Sequence, residues 1–183
     1  INDFVDYPTV YAKKEGSIAA PTAGLHFTKD LMKKIRMKDI GIEFLTLHVG
    51  MGTFLPIKDK IIENHKMHYE EFFISSKLIS EIELTKRRGN RILTVGTTTL
   101  RALESYNLFT PPSNSWFKTD IFINQGFEFG LTDALLTNFH LPKSSLLVLI
   151  SSFLGYELTK VSYEYAIKEK FKFYSYGDAM LIV

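Results

Sequence analysis

The chain has 183 residues, is 45% hydrophobic and carries a formal net charge of +2. That is enough apolar material for one good core, and too little net charge to argue for nucleic acid by itself. The absence of cysteine excludes disulfides, thiolate nucleophiles and Cys-ligated zinc, and a cytoplasmic location is the default expectation.

In chain order, the first residues carry no secretory signal pattern, and Ile1 opens a stretch with neither helix cap nor strand pattern. The expectation is a piece of a longer polypeptide. Thr28 suits the N-cap of a helix carrying Leu31, Met32 and Ile35, ended near Gly41. Residues 42–49 are β-branched and aromatic and read as a strand, with a turn at 50–53. A loop with Pro56 leads to the polar run 65–71 and the short apolar run 72–74. Ser75 or Ser76 caps a helix with Leu78, Ile79 and Ile82, closed by Gly89-Asn90. Residues 91–95 are predicted as a strand, and Gly96-Thr97-Thr98-Thr99 leads into a helix over 100–105. The stretch 107–118 is loop-like, rich in Pro, Ser and Asn. Residues 119–123 are predicted as a strand, and 131–137 as another.

The run Thr137-Asn138-Phe139-His140-Leu141-Pro142-Lys143-Ser144-Ser145 then precedes an apolar stretch over 146–154. Pro142 suits a helix start. Ser144 or Ser145 can accept from the first free N–H groups. The helix that follows is too apolar to lie on a surface, and far short of the roughly 20 residues that cross a bilayer. Gly155 suits its stop. Its N-terminus, with its partial positive charge, points toward His140 and Asn138. An amphipathic helix over 157–170 follows, with Leu158, Val161, Tyr165 and Ile167 on its apolar side. Residues 173–174 and 180–183 read as final strands. Strands alternating with helices predict an α/β fold: a three-layer α/β/α domain with a largely parallel or mixed sheet.

The basic clusters 33–38, 86–91 and 168–172 read as solvated helix faces. His26, His48, His65, His68 and His140 all lie in or beside polar segments, and each also has a purely structural reading. In open α/β sheets, sites gather beyond the C-terminal ends of strands, which favours His48 and His140. His65, His68 and Glu70 lack a shared helical face and a zinc-binding pattern, so no metal is expected. The segment VGTTTLRALE (95–104) is strand, tight turn and helix. It reads either as an anion cradle formed by Thr97, Thr98 and Arg101, or as a capped helix with Arg101 and Glu104 as a surface pair. It is not a phosphate-binding Walker loop, and neither a dinucleotide fingerprint nor a nucleophile elbow is present.

Seven segments, in this order, resemble one family: YAKKEGSIAAPTAGLHF (11–27), LHVGMGTF (47–54), HKMHYE (65–70), VGTTTLRALES (95–105), TDIFI (119–123), LLTNFHLPKSSLLVLISSFLG (135–155) and FYSYGDAMLI (173–182). It is the S-adenosylmethionine:tRNA ribosyltransferase-isomerase family of queuosine biosynthesis. The likeness covers nearly all of residues 1–183, matching the C-terminal part of the family's catalytic α/β domain. The family's N-terminal segment and inserted β-barrel domain are absent from the chain. Two departures stand out. The family usually has Pro-Gly at Gln125-Gly126 and Tyr-Arg-Phe at Phe171-Lys172-Phe173, where lysine does not reproduce a bidentate arginine contact.

The resemblance implies transfer and isomerisation of the ribosyl unit of S-adenosylmethionine onto 7-aminomethyl-7-deazaguanine at the tRNA wobble position. The products are epoxyqueuosine in tRNA, adenine and methionine. S-adenosylmethionine is a consumed substrate, so no separate cofactor is expected. The partner is tRNA carrying the precursor base, with no membrane and a monomeric state. A rival reading is an inactive RNA- or nucleoside-binding fragment of that enzyme. Such chemistry needs a base at an acidified carbon, a donor for the departing adenine and a carboxylate near the cationic centre. Candidates for base or acid are His48 and His140, then His26 and His68. Thr97, Thr98, Arg101, Glu104, Glu70, Asn138, Asp178 and Tyr176 are candidates for substrate binding. Phe54, Phe139, Tyr174 and Tyr176 are candidates to stack a base.

Overall fold

The computed structural model describes residues 8–13, 20–50, 56–59 and 61–183. Phe54 and most of the predicted turn at 50–53 lie outside them. Among the described residues are two three-stranded sheets and five helices, together with short 3-10 turns at Thr22–His26 and Ile62–Asn64. The helices are α1 (Lys29–Arg36), α2 (Ser76–Arg87), α3 (Thr97–Phe109), α4 (Ser145–Leu154) and α5 (Tyr156–Lys168). The first sheet is antiparallel throughout, in the order β1 (Thr46–His48), β2 (Glu70–Ile74), β4 (Ser115–Thr119). In the second, β3 (Leu93–Val95) runs parallel to β5 (Ala134–Asn138), and β5 pairs antiparallel with β6 (Ala179–Ile182).

The fold is α/β with mixed sheets, and among the described residues the parallel pairing is that of β3 with β5. The predicted parallel character came from strand–helix alternation. That alternation also describes a chain divided between an antiparallel meander and a small mixed sheet. Five expectations about individual elements change. Residues 107–118 are not a loop: α3 runs on to Phe109, and β4 begins at Ser115. Residues 119–123 form no strand beyond the end of β4 at Thr119, and 173–174 form none. Residues 42–45 are irregular, and only Thr46–His48 pair. Leu158, Val161, Tyr165 and Ile167 of α5 are exposed, whereas Thr159 and Ala166 are buried. The helix thus turns its predicted apolar side outward.

Helix starts follow the sequence closely. Thr28, Ser75 and Ser144 each accept a hydrogen bond from the backbone N–H three residues on, at 3.1, 3.2 and 3.1 Å. Ser144→Ala should therefore cost about 1 kcal/mol in a urea melt. An unchanged midpoint would show that this cap carries no stability.

The core lies in two clusters that share α3. Phe72, Ile74, Leu78 and Ile82 pack with Ala102 and Leu103 on one side. Ile123, Leu135, Leu149, Ile150 and Ile182 pack with Leu100 on the other. A helix gripped on both sides has little polar face to spare. Thr97, Thr98, Arg101, Glu104 and Ser105 are therefore all buried with it, and each must find partners inside.

Candidate functional site

Parallel pairing of β3 and β5 puts their C-terminal ends side by side. Gly96 turns the chain sharply at φ 92°, a left-handed conformation that favours glycine, and its N–H donates to the Leu136 carbonyl at 2.8 Å. Thr97 and Thr98 then open α3 at the end of the sheet. Beside them β5 ends at Asn138, and the elbow through His140 leads to the N-terminus of α4. A narrow cleft forms there, lined by Pro21, Thr22, Val49, Thr97, Thr98, Thr137, Asn138, His140 and Leu146. This is where open α/β sheets place ligands, with two helix N-termini nearby. A second, roomier cavity of about 390 Å³ is lined by Pro56, Lys58, Asp59, Asn64, His65, Lys66 and His68. Size favours the second. Strand ends, helix N-termini and buried polar groups favour the first, and that convergence is what a site requires.

His140 is fastened at two points. Its backbone N–H donates to the Tyr163 hydroxyl at 3.1 Å, and its Nε2 lies 3.0 Å from Thr137 Oγ1. Burial pushes its pKa down from the usual 6.5 to about 4, so the ring is neutral at pH 7. Burial likewise raises the Tyr163 hydroxyl to about 12, opposed by the hydrogen bond from His140. The unfolded chain takes up the His140 proton first as pH falls. Stability present above pH 6.5 is therefore lost progressively down to about 4, on the order of 3 kcal/mol from this residue. Urea melts of the protein and His140→Gln across pH 4–7.5 should differ by a shallower acid limb in the variant. Parallel limbs would show that His140 titrates normally.

Asn138 is 2% exposed and binds across the chain. Thr22 donates to its Oδ1 at 3.0 Å, and its Nδ2 lies 3.3 Å from His26 Nε2 and donates to the Gly177 carbonyl at 3.4 Å. The cleft thus collects His140, Asn138, Thr97 and Thr98 of the predicted residues, with His26 joined through Asn138.

Other predicted residues stand apart. Arg101 Nη1 lies 2.9 Å from Glu70 Oε2, both side chains almost wholly enclosed. Burial lowers the Arg101 pKa, against the pull of Glu70 and then Asp120. Glu104 is fully buried, and its carboxylate accepts from the N–H groups of Gly130, Leu131 and Thr132 at 2.9, 3.2 and 2.8 Å. The reading of Arg101 and Glu104 as a surface pair is overturned, because each is buried with a different partner.

His48 sits in the antiparallel sheet, its ring 4.5 Å from that of Trp116 and its backbone opposite Glu71. It does not line the cleft, although its neighbour Val49 does. His68 lines the second cavity with His65, whose Nδ1 is 3.3 Å from Asp59 Oδ2. Asp178 accepts from the Lys172 backbone N–H at 2.7 Å, which closes a loop under Gly177. Tyr174 and Tyr176 are half-exposed, whereas Phe139 is buried among Tyr163, Phe171 and Phe173. Among the described residues, no group of three or more His, Cys, Asp or Glu is placed to hold a metal. No single helix among them is long and apolar enough to cross a membrane.

Sequence reasoning passed over Thr22, Thr137 and Tyr163 as site residues. Thr22 and Thr137 lay within quoted motifs. Tyr163 had no local signal, since it reaches the elbow only when α5 folds back on α4.

A model of a family described as queuosine biosynthesis protein matches residues 1–182. Curated relatives called S-adenosylmethionine:tRNA ribosyltransferase-isomerase include one from Halothermothrix orenii, 50% identical over all of this chain and 54% of its own length. Another, from Rickettsia typhi, is 53% identical over 99% of this chain and 48% of its own. The chain spans about half the length of the curated relatives it matches. The crystal structure of an S-adenosylmethionine tRNA ribosyltransferase from Thermotoga maritima superposes with a TM-score of 0.72 at 39% identity, covering 88% of this chain and 51% of that one.

Proposed function

We propose, from the premise that this chain belongs to the queuosine biosynthesis protein family, that it supplies part of the active site of an S-adenosylmethionine:tRNA ribosyltransferase-isomerase. The ribosyl unit of S-adenosylmethionine passes to 7-aminomethyl-7-deazaguanine at the wobble position of tRNA and rearranges, giving epoxyqueuosine-tRNA, adenine and methionine. The observation that carries this reading is the family match over residues 1–182, and the cleft beyond β3 and β5 is the place for the chemistry. S-adenosylmethionine is consumed, so the reading includes no separate cofactor. The work is placed in the cytoplasm, with the protein acting as a monomer on tRNA.

The cleft's enclosed volume is only about 30 Å³, so a nucleoside lies across its mouth. There the helix N-termini at Thr97 and Ser145 meet electron-rich atoms of the ligand. Neutral His140, enclosed and hydrogen-bonded, serves as a fixed polar contact. Such preorganised contacts stabilise developing charge without reorganising.

The span of about half its relatives' length favours a second reading for the chain by itself: binding of nucleoside or RNA without turnover. Incubating the full-length protein with S-adenosylmethionine and precursor tRNA separates the two. Adenine release with a mass gain on the wobble base is the expected result. Neither signal, in protein shown to be folded, would remove the transferase reading.

A further inference from the structure

We infer that Asn138 is a positioning residue that holds His26 as its Nδ1–H tautomer, so that His26 meets the substrate as a hydrogen-bond donor and not as a base. The tautomer is a property of the unliganded fold. The role toward substrate rests on the ribosyl transfer proposed above.

Gly177 sits in a tight loop that faces Asn138. Its N–H donates to the Tyr174 carbonyl at 3.0 Å, and the neighbouring Asp178 N–H donates to the Lys172 carbonyl at 2.8 Å. A Cβ at Gly177 would run into the Lys172 carbonyl, so the loop closes this tightly only around glycine. The Gly177 carbonyl is thereby presented to the buried Asn138 side chain, 3.4 Å from Nδ2. A carbonyl only accepts, so it decides which end of the Asn138 amide carries hydrogens. The Thr22 hydroxyl suits either end, and it donates to Oδ1 at 3.0 Å.

With Nδ2 fixed, its two hydrogens have two acceptors: Gly177 O and His26 Nε2, at 3.3 Å. Nε2 must offer its lone pair, so the neutral ring carries its proton on Nδ1. The opposite tautomer would set N–H against N–H and strand a buried amide hydrogen. A free neutral histidine prefers Nε2–H, so the assigned state is the reverse of the default. His26 is exposed, and in this tautomer Nδ1–H is the donor the ring offers. A lone pair is what a base needs, and Asn138 occupies the one on Nε2. A donor is what a departing purine needs.

Histidine nitrogen shifts read the tautomer directly. Full-length protein with ¹⁵N-labelled histidine, held at a pH where the ring is neutral, is compared with His26→Gln to assign the His26 signals. The expected pattern is a protonated Nδ1 and an unprotonated Nε2. Asn138→Asp supplies an acceptor in place of the donor and should move the proton to Nε2. Asn138→Ala removes the donor and should return the ring to the Nε2–H default, which keeps the test alive if one variant fails to fold. A wild-type Nε2–H pattern, or no change in whichever variant folds, overturns the assignment. These spectra need no turnover, so they stand apart from the transferase reading. In active enzyme, His26→Gln should lower kcat for adenine release on the order of tenfold or more with KM held. Equal loss of adenine release and of substrate affinity would overturn the donor role.

Discussion

Arg101→Met is expected to destabilise the protein by about 3–5 kcal/mol, the cost of breaking a buried ion pair by removing one member. The partner is Glu70, reached from β2 across 2.9 Å with both side chains enclosed. Arg101 is also poorly satisfied for so buried a guanidinium: Nε and Nη2 have no hydrogen-bond partner among the described residues. A pair in that condition repays little of its desolvation. The double replacement Glu70→Leu with Arg101→Met should therefore recover most of the loss, because it removes both charges and fills the space. Urea midpoints at constant slope read the two quantities. A single variant costing under about 1 kcal/mol would show that the pair is solvated. A double variant no better than the single would show that the pair is a net stabiliser.

Glu104→Ala should cost a similar amount, about 3–5 kcal/mol, for a different reason. Among the described residues no opposite charge pairs with this carboxylate; three consecutive backbone N–H groups hold it. Removing the acceptor strands these donors, at about 1–3 kcal/mol for each that stays buried. The loop cannot easily shift to compensate, because Gly130 already packs against the Asn107 side chain with no room for a Cβ. Glu104→Gln keeps one oxygen and turns an amide nitrogen toward the remaining N–H, so it should fall between, at about 1–3 kcal/mol. Wild-type stability in Glu104→Ala would show that water satisfies the loop. Amide exchange at Gly130, Leu131 and Thr132 would reveal the same failure locally.

These two residues also show where sequence stops informing. Capping chemistry is local, so Thr28, Ser75 and Ser144 were legible as helix starts. The apolar run before Gly155 was equally legible, and in the structure no residue of α4 is exposed. Arg101 and Glu104 are three residues apart, a spacing that on an ordinary helix reads as a surface pair. What buries them is α3's position between two cores, a fact of topology that no window along the chain contains. The outward apolar side of α5 is a failure of the same kind: periodicity marks a stripe, not what covers it. Residues 115–118 read as loop because the Pro-Ser-Asn run beside them masks a strand whose partners lie 41 to 49 residues earlier in the chain. At the candidate site, the strand-end rule points to His48 and His140, and the structure puts His140 on the cleft wall. His48 instead sits in the antiparallel sheet, outside the lining of that cleft. The Asn138–His26 and His140–Tyr163 contacts join segments distant in sequence, and only the folded chain brings them together.

The central claim is that ribosyl transfer takes place at the cleft beyond β3 and β5. The most direct measurement is the single-turnover rate of adenine release by full-length His140→Ala, compared with His65→Ala in the roomier second cavity. Loss of this preorganised contact predicts that His140→Ala falls on the order of 10²-fold or more with its fold retained, while His65→Ala stays within a few-fold of wild type. A wild-type rate in His140→Ala, with the loss found in His65→Ala, would contradict it and move the chemistry to the second cavity.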